Sequence, residues 1–128
     1  MLGPMRTFGT AFLIACFLAL TGCDDGVDPA HRDARSELAL SGIRGGQVIN
    51  AVIDRTFVDA QDIRWVVDFK SSPHEGGDVA GFLDGEVRRY EAQLRRYAHL
   101  ARGLGPEPVR AGLYYPLLAA WREVDVSS

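Results

Sequence analysis

The stretch from Phe82 to Leu104, FLDGEVRRYEAQLRRYAHLARGL, carries Leu83, Val87, Tyr90, Leu94, Tyr97, Ala101 and Leu104 at alternating steps of four and three. That spacing places all seven on one face of an α-helix. Gly103, Gly105 and Pro106 then end the pattern. A helix with a single apolar stripe must bury it against another layer.

The preceding segments have the composition of strands. RSELALSGIRGG reads as a short strand followed by a Gly45-Gly46 turn. QVINAVIDRTFVDA, with Val48, Val52 and Phe57, is a second strand, and DIRWVVDFK a third. The residues from Ala60 to Asp62 suit a hairpin turn between them. SSPHEGGD reads as an open loop, and VRAGLYYPLL as an apolar strand closed by Pro116. The expected fold class is α/β (α+β). Residues 35–70 form a three-stranded antiparallel meander, residues 82–104 a helix packed on it, and residues 109–115 a further strand. No internal repeat interrupts this order.

A chain of 128 residues has room for one small domain, and 47% hydrophobic with 24% charged residues is ordinary for a globular protein. The net charge of −3 supplies no general attraction to nucleic acid or anionic lipid. Both cysteines, Cys16 and Cys23, precede the folded part, which therefore holds no disulfide and no cysteine metal site. Arg6 is followed by an apolar run from Phe8 to Leu20, about the length of a signal-peptide core and short for a membrane span. Leu20-Thr21-Gly22-Cys23 resembles a bacterial lipobox, and Asp24 an inner-membrane retention signal. Read this way, the chain is an inner-membrane lipoprotein anchored through Cys23; the alternative is a buried helix. The expected divisions are a signal-like segment at 1–23, a linker at 24–34 and a domain at 35–128.

Lys70 is the sole lysine among the 14 Lys and Arg residues. It stands two residues after Asp68, which ends the apolar run RWVVD just as Asp54 ends VINAVID. If the two strands pair, the carboxylates come near one another, and Lys70 shares a face with Asp68 because strand side chains alternate. Two carboxylates and a backbone carbonyl suit Mg²⁺, which lowers the pKa of bound water and neutralises a phosphate. A lysine there stabilises developing charge. The plainer reading makes Asp54 and Asp68 turn residues, and Asp68 with Lys70 a solvated ion pair. A surface Lys70 would contribute little to folding.

Four elements in order, AVIDRTFVD, RWVVDFKSS, YEAQLRRYAHL and VRAGLYYPLLAAW, resemble the RecB-like branch of the PD-(D/E)XK nuclease superfamily. The likeness is to the nuclease domain at the C-terminal end of UvrD/Rep-type helicase-nucleases. It implies a restriction-endonuclease-like core of meander, long helix and further strand, with the first core helix missing or replaced. It also implies Mg²⁺- or Mn²⁺-dependent cleavage of DNA, in repair and recombination and in the cytoplasm, by a partial nuclease domain that is either a fragment or dependent on a helicase partner. Its catalytic residues are Asp54, Asp68, Lys70, Gln93 and Tyr97. Asp54, Asp68 and the Phe69 carbonyl are its metal ligands. Two further readings stand beside it: an inactive interaction module of the same fold, and a small lipid-anchored envelope protein.

The acidic residue or histidine that such nucleases carry on the first helix has no match here; His31 and Glu37 are the candidates to fill the gap. His74 and Glu75 lie in the glycine-rich loop near the expected site. Arg88, Arg95, Arg102 and His99 make a helix stripe opposite the apolar one, flanked by Arg89 and Arg96. It reads either as a DNA-backbone contact or as a solvated face.

Overall fold

In the computed structural model, which describes residues 31–74 and 76–127, Gly45 and Gly46 have φ of 59° and 80°. A two-residue hairpin turn with both dihedrals positive matches the twist of its strands, and glycine reaches it without strain. It joins β1 (Arg32–Arg44) to β2 (Gln47–Val58), which pair antiparallel from Arg44↔Gln47 to Arg35↔Thr56. The next turn is organised by Asp59. Its carboxylate accepts the backbone N–H of Gln61 and Ile63 at 2.9 and 3.0 Å and the Trp65 indole N–H at 2.8 Å. β3 (Arg64–Phe69) follows, completing the antiparallel meander.

Asp78 caps α1 (Val79–Ala101), its side chain accepting the Gly81 N–H at 3.0 Å. The helix starts three residues before Phe82, and the last expected turn, Arg102–Leu104, is a 3₁₀ turn. β4 (Val109–Tyr115) lies beside β3 and parallel to it. A parallel pair needs a crossover, and α1 supplies it. Beyond expectation, β5 (Ala120–Val124) returns antiparallel along β4. Pro116 closes β4 as expected but opens a 3₁₀ turn, and Ala119, at φ 49°, sends the chain back. The result is a mixed α+β fold, a five-stranded sheet in the order β1-β2-β3-β4-β5 with one long helix.

β1 begins at Arg32, so the last three residues of the expected linker belong to the sheet. The apolar run Phe8–Leu20 and Cys23 lie outside the described residues, as does Glu75. No described helix is long and apolar enough to cross a membrane.

The helix side of the sheet holds the larger core. Ile53, Val66, Ala111, Leu113, Tyr115 and Val124 meet Leu83, Leu94, Tyr97, Ala98 and Ala101 of α1. On the other side Phe57, Val67 and Tyr114 pack with Trp65, Phe69 and Trp121. Gly112 belongs to this side: a Cβ there would stand 2.4 Å from the Trp121 ring and 2.7 Å from the Arg122 carbonyl. Only glycine lets the indole lie flat on β4.

Arg64 is 2% exposed. Its guanidinium bonds Asp33 of β1 and Thr56 of β2, and lies 4.0 Å from Glu107 in the loop before β4. Its backbone N–H donates to the Pro108 carbonyl at 2.9 Å. Its two Nη groups are hydrogen-bonded while its Nε has only the charge of Glu107 beside it; these contacts offset the burial of the guanidinium and tie the start of β1 to the middle of the sheet.

Leu94→Ala should lower the unfolding free energy by about 2–5 kcal/mol. Val48→Ala, at a position 71% exposed, should change it by less than about 0.5 kcal/mol. Urea denaturation with an unchanged m-value checks both. Burial pushes the Asp33 carboxyl up, but hydrogen bonds from Arg64 and Arg35 outweigh it and hold the group below its ordinary 3.8. A carboxyl with a depressed folded pKa binds fewer protons when folded, so its stabilisation is present above 3.8 and fades as pH falls through the lower folded value. Asp33→Asn should therefore lower the Tm at pH 7, and the difference should shrink progressively below about pH 4.

Candidate active site at the fork of β2 and β3

The β2–β3 ladder is short. It runs from Val58↔Arg64 to Arg55↔Val67 and stops. Beyond it β3 continues beside β4, through Asp68↔Leu113 and Phe69↔Tyr114, and Lys70 N–H donates to the Tyr114 carbonyl at 2.8 Å. The first half of β2 pairs with β1 alone. Just past the end of the ladder the Phe69 N–H donates to Asp54 Oδ2 at 2.9 Å. A carboxylate thus stands where the ladder ends and the strands fork.

The backbone opposite Asp54 is irregular. Glu37 stands across from it, between the pairs Ser36↔Arg55 and Leu38↔Ile53, and sits in the left-handed region at φ 51°. Ile53 packs on the helix side while Phe57, four residues on, packs on the other. Glu37 itself is exposed. Among the described interactions it makes none with Asp54, Asp68 or Lys70.

Asp68, 5% exposed, projects to the helix side. Lys70 Nζ lies 2.8 Å from Asp68 Oδ2 and 3.7 Å from the centroid of the Tyr90 ring. The Asp68 carboxyl is pushed above its ordinary pKa, chiefly by burial; Lys70 works against this, and the neighbouring charge of Asp54 adds to it. Asp54, Asp68 and Lys70 are therefore brought together. Lys70 is not the surface residue expected: its side chain is 17% exposed, wedged between a carboxylate and an aromatic face.

The helix contributes differently from the sequence expectation. Gln93 donates to the Tyr97 hydroxyl at 2.7 Å, and among the described interactions neither residue touches Asp54, Asp68 or Lys70. Tyr90, read as core, is the aromatic residue on Lys70. Glu86 was missed. It is 6% exposed and accepts the Tyr115 hydroxyl at 2.8 Å. That hydroxyl is pushed far above its ordinary pKa by burial first, then by Glu86, with Tyr90 and Asp68 adding to it. Glu86 thus borders the site through Tyr115. The available signal was its spacing: three residues after Leu83 and four before Tyr90, a carboxylate sits on the buried stripe.

His31 does not fill the gap. It is 4% exposed and stacks on Phe57 at 3.9 Å, on the face of the sheet away from Asp68. His74 Nε2 lies 2.9 Å from the Gly77 carbonyl, and its ring stacks on Phe82 at 4.5 Å. The arginine stripe is divided. Arg95 and Arg102 donate to the Ser127 and Val126 carbonyls at 2.7 and 2.8 Å, and His99 Nε2 lies 2.8 Å from the Ile43 carbonyl. Arg89 instead turns toward Tyr90, its guanidinium carbon 5.2 Å from the ring centroid. Among the described residues, no group of three or more His, Cys, Asp or Glu is arranged to hold a metal ion.

Because burial and Asp54 together outweigh Lys70, a neutral isostere at position 68 relieves more than it loses. Asp68→Asn should raise the Tm at neutral pH, measured by calorimetry; a lower Tm would mean that the Lys70 pair dominates.

No protein-family model matches the chain, and no curated protein matches it. Its functional reading rests on the residues at this fork.

Proposed function

We propose that the chain hydrolyses phosphodiester bonds of DNA with Mg²⁺ or Mn²⁺, in the manner of a RecB-like PD-(D/E)XK nuclease. On this reading β1–β3, α1 and β4 are a restriction-endonuclease-like core. The observation that carries the proposal is the meeting of Asp54, Asp68 and Lys70 where β2 and β3 part.

The residues fit a hard divalent cation. Asp68 Oδ2 is buried, with the Lys70 ammonium 2.8 Å away and the Asp54 carboxylate beside it. Carboxylate and carbonyl oxygens are the donors such an ion takes. Asp54, Asp68 and the Phe69 carbonyl would hold it. A cation bound there lowers the pKa of coordinated water and neutralises phosphate charge. Lys70 sets a compact ammonium beside that position, where it balances the charge developing on the phosphate oxygens. The Tyr90 face limits the room around it, so a planar guanidinium is a poor substitute.

A second reading has its own observation. Among the described residues only two carboxylates converge, and one is already paired with lysine; this favours an interaction module that keeps the fold without turnover. A helicase partner and a cytoplasmic location belong to the first reading. Lipidation of Cys23 is a separate proposal, which mass spectrometry of the native N-terminus decides.

Linear DNA should be cut in Mg²⁺ or Mn²⁺ and left intact in chelator. Lys70→Ala and Lys70→Arg should each reduce turnover by roughly 100-fold or more, assayed below the Tm of both variants. Calorimetric Mn²⁺ uptake should weaken in Asp68→Asn. Equal uptake by wild type and variant sinks the nuclease reading in favour of the inactive module.

A further inference from the structure

Tyr90 carries a cation besides Lys70. The Lys70 ammonium and the Arg89 guanidinium lie 3.7 and 5.2 Å from the same ring centroid, which puts the two within about 9 Å of each other. Arg89 Nη1 is also 3.7 Å from Glu86 Oε2, the carboxylate that holds the Tyr115 hydroxyl. At that distance it is a charge contact and not a hydrogen bond. The Arg89 side chain is 69% exposed, and none of its N–H donors takes part in a described hydrogen bond. Its position is set by an aromatic face and a buried acid, while its donors face solvent.

The other helix cations near it are used or turned elsewhere. Arg95 and Arg102 are engaged with the last described residues of the chain, and Arg88 makes no described contact with Tyr90. Arg89 is the one helix arginine placed beside Lys70. A separation of at most about 9 Å lies within reach of neighbouring phosphates of one strand, at about 3.4 Å of rise each.

We infer that Arg89, seated on Tyr90 and Glu86, grips a backbone phosphate of the substrate strand next to the one at Lys70. The inference rests on the phosphodiesterase reading and sharpens its substrate class: an extended polynucleotide strand, with at least one phosphate beyond the bond that is cut. A guanidinium at this place contributes binding rather than chemistry, because it approaches the flanking phosphate and not the reacting one. Tyr90 and Glu86 act through Arg89 as positioning residues.

The test pairs binding with turnover. Anisotropy titrations of a labelled single-stranded oligonucleotide in chelator, where no bond is cut, are run over a range of salt on wild type, Arg89→Ala, Arg89→Lys and Arg88→Ala. Arg89→Ala should bind roughly threefold or more weakly, and its log Kd against log salt slope should fall by about 0.7. Arg89→Lys should keep most of the slope, and Arg88→Ala should match wild type. In Mn²⁺, Arg89→Ala should raise KM with kcat little changed. If wild type binds and Arg89→Ala matches Arg88→Ala in affinity and slope, this inference falls and the hydrolytic reading stands or falls on cleavage alone. If wild type binds with the expected Arg89 dependence but cuts nothing, the phosphate contact is upheld and hydrolysis is lost. If wild type neither binds nor cuts, both fail.

Discussion

One hydrogen bond decides where the site can be. Asp54 Oδ2 takes the Phe69 N–H at the position where the β2–β3 ladder stops. The bond is part-buried and fixes the Asp54 side chain against the β3 backbone. Past that point β3 keeps its pairing with β4, and β2 its pairing with β1, while the two no longer pair with each other. The group that stands where the pairing ends is also the candidate metal ligand. Structure and chemistry share the same carboxylate.

The fork is buildable because both of its arms are held from outside. Arg64 joins β1, β2, β3 and the loop before β4 through Asp33, Thr56 and the neighbourhood of Glu107. Trp121 lies on Gly112 and binds β5 against β4. Arg95 and Arg102 hold the last described residues along the helix, with Val126 only 4% exposed. Sites set on strands and a helix with such support keep their geometry better than sites on loops.

The helix serves two purposes on one face. Leu83, Leu94, Tyr97 and Ala101 fill the core, while Glu86 and Tyr90 face the polar cluster of Tyr115 and Lys70. Buried charge is costly unless paired, and here each group has a neighbour: Asp68 with Lys70, Glu86 with Tyr115, Lys70 with the Tyr90 face. The residual imbalance shows at Asp68, whose carboxyl is pushed upward by burial and by Asp54. A site with one uneasy carboxyl is where a cation would be most welcome.

What the sequence determined alone was local. The four-and-three spacing of α1, the glycine pair of the first hairpin and the apolar runs of β2 and β3 each state their own conformation, because periodicity and turn chemistry act within a few residues. The three chemically informative residues, Asp54, Asp68 and Lys70, were legible for the same reason: each ends or follows an apolar run. What only the tertiary structure decided was non-local. The fork is the place where the β2–β3 pairing ends, and the end of a pairing leaves no pattern in the chain. β5 exists because β4 offers a free edge, Glu86 belongs near the site because Tyr115 crosses from β4, and Tyr90 takes Lys70 where Gln93 and Tyr97 were expected to. The five arginines read alike in sequence; which strand, ring or carbonyl lies beside each one sets their separate tasks.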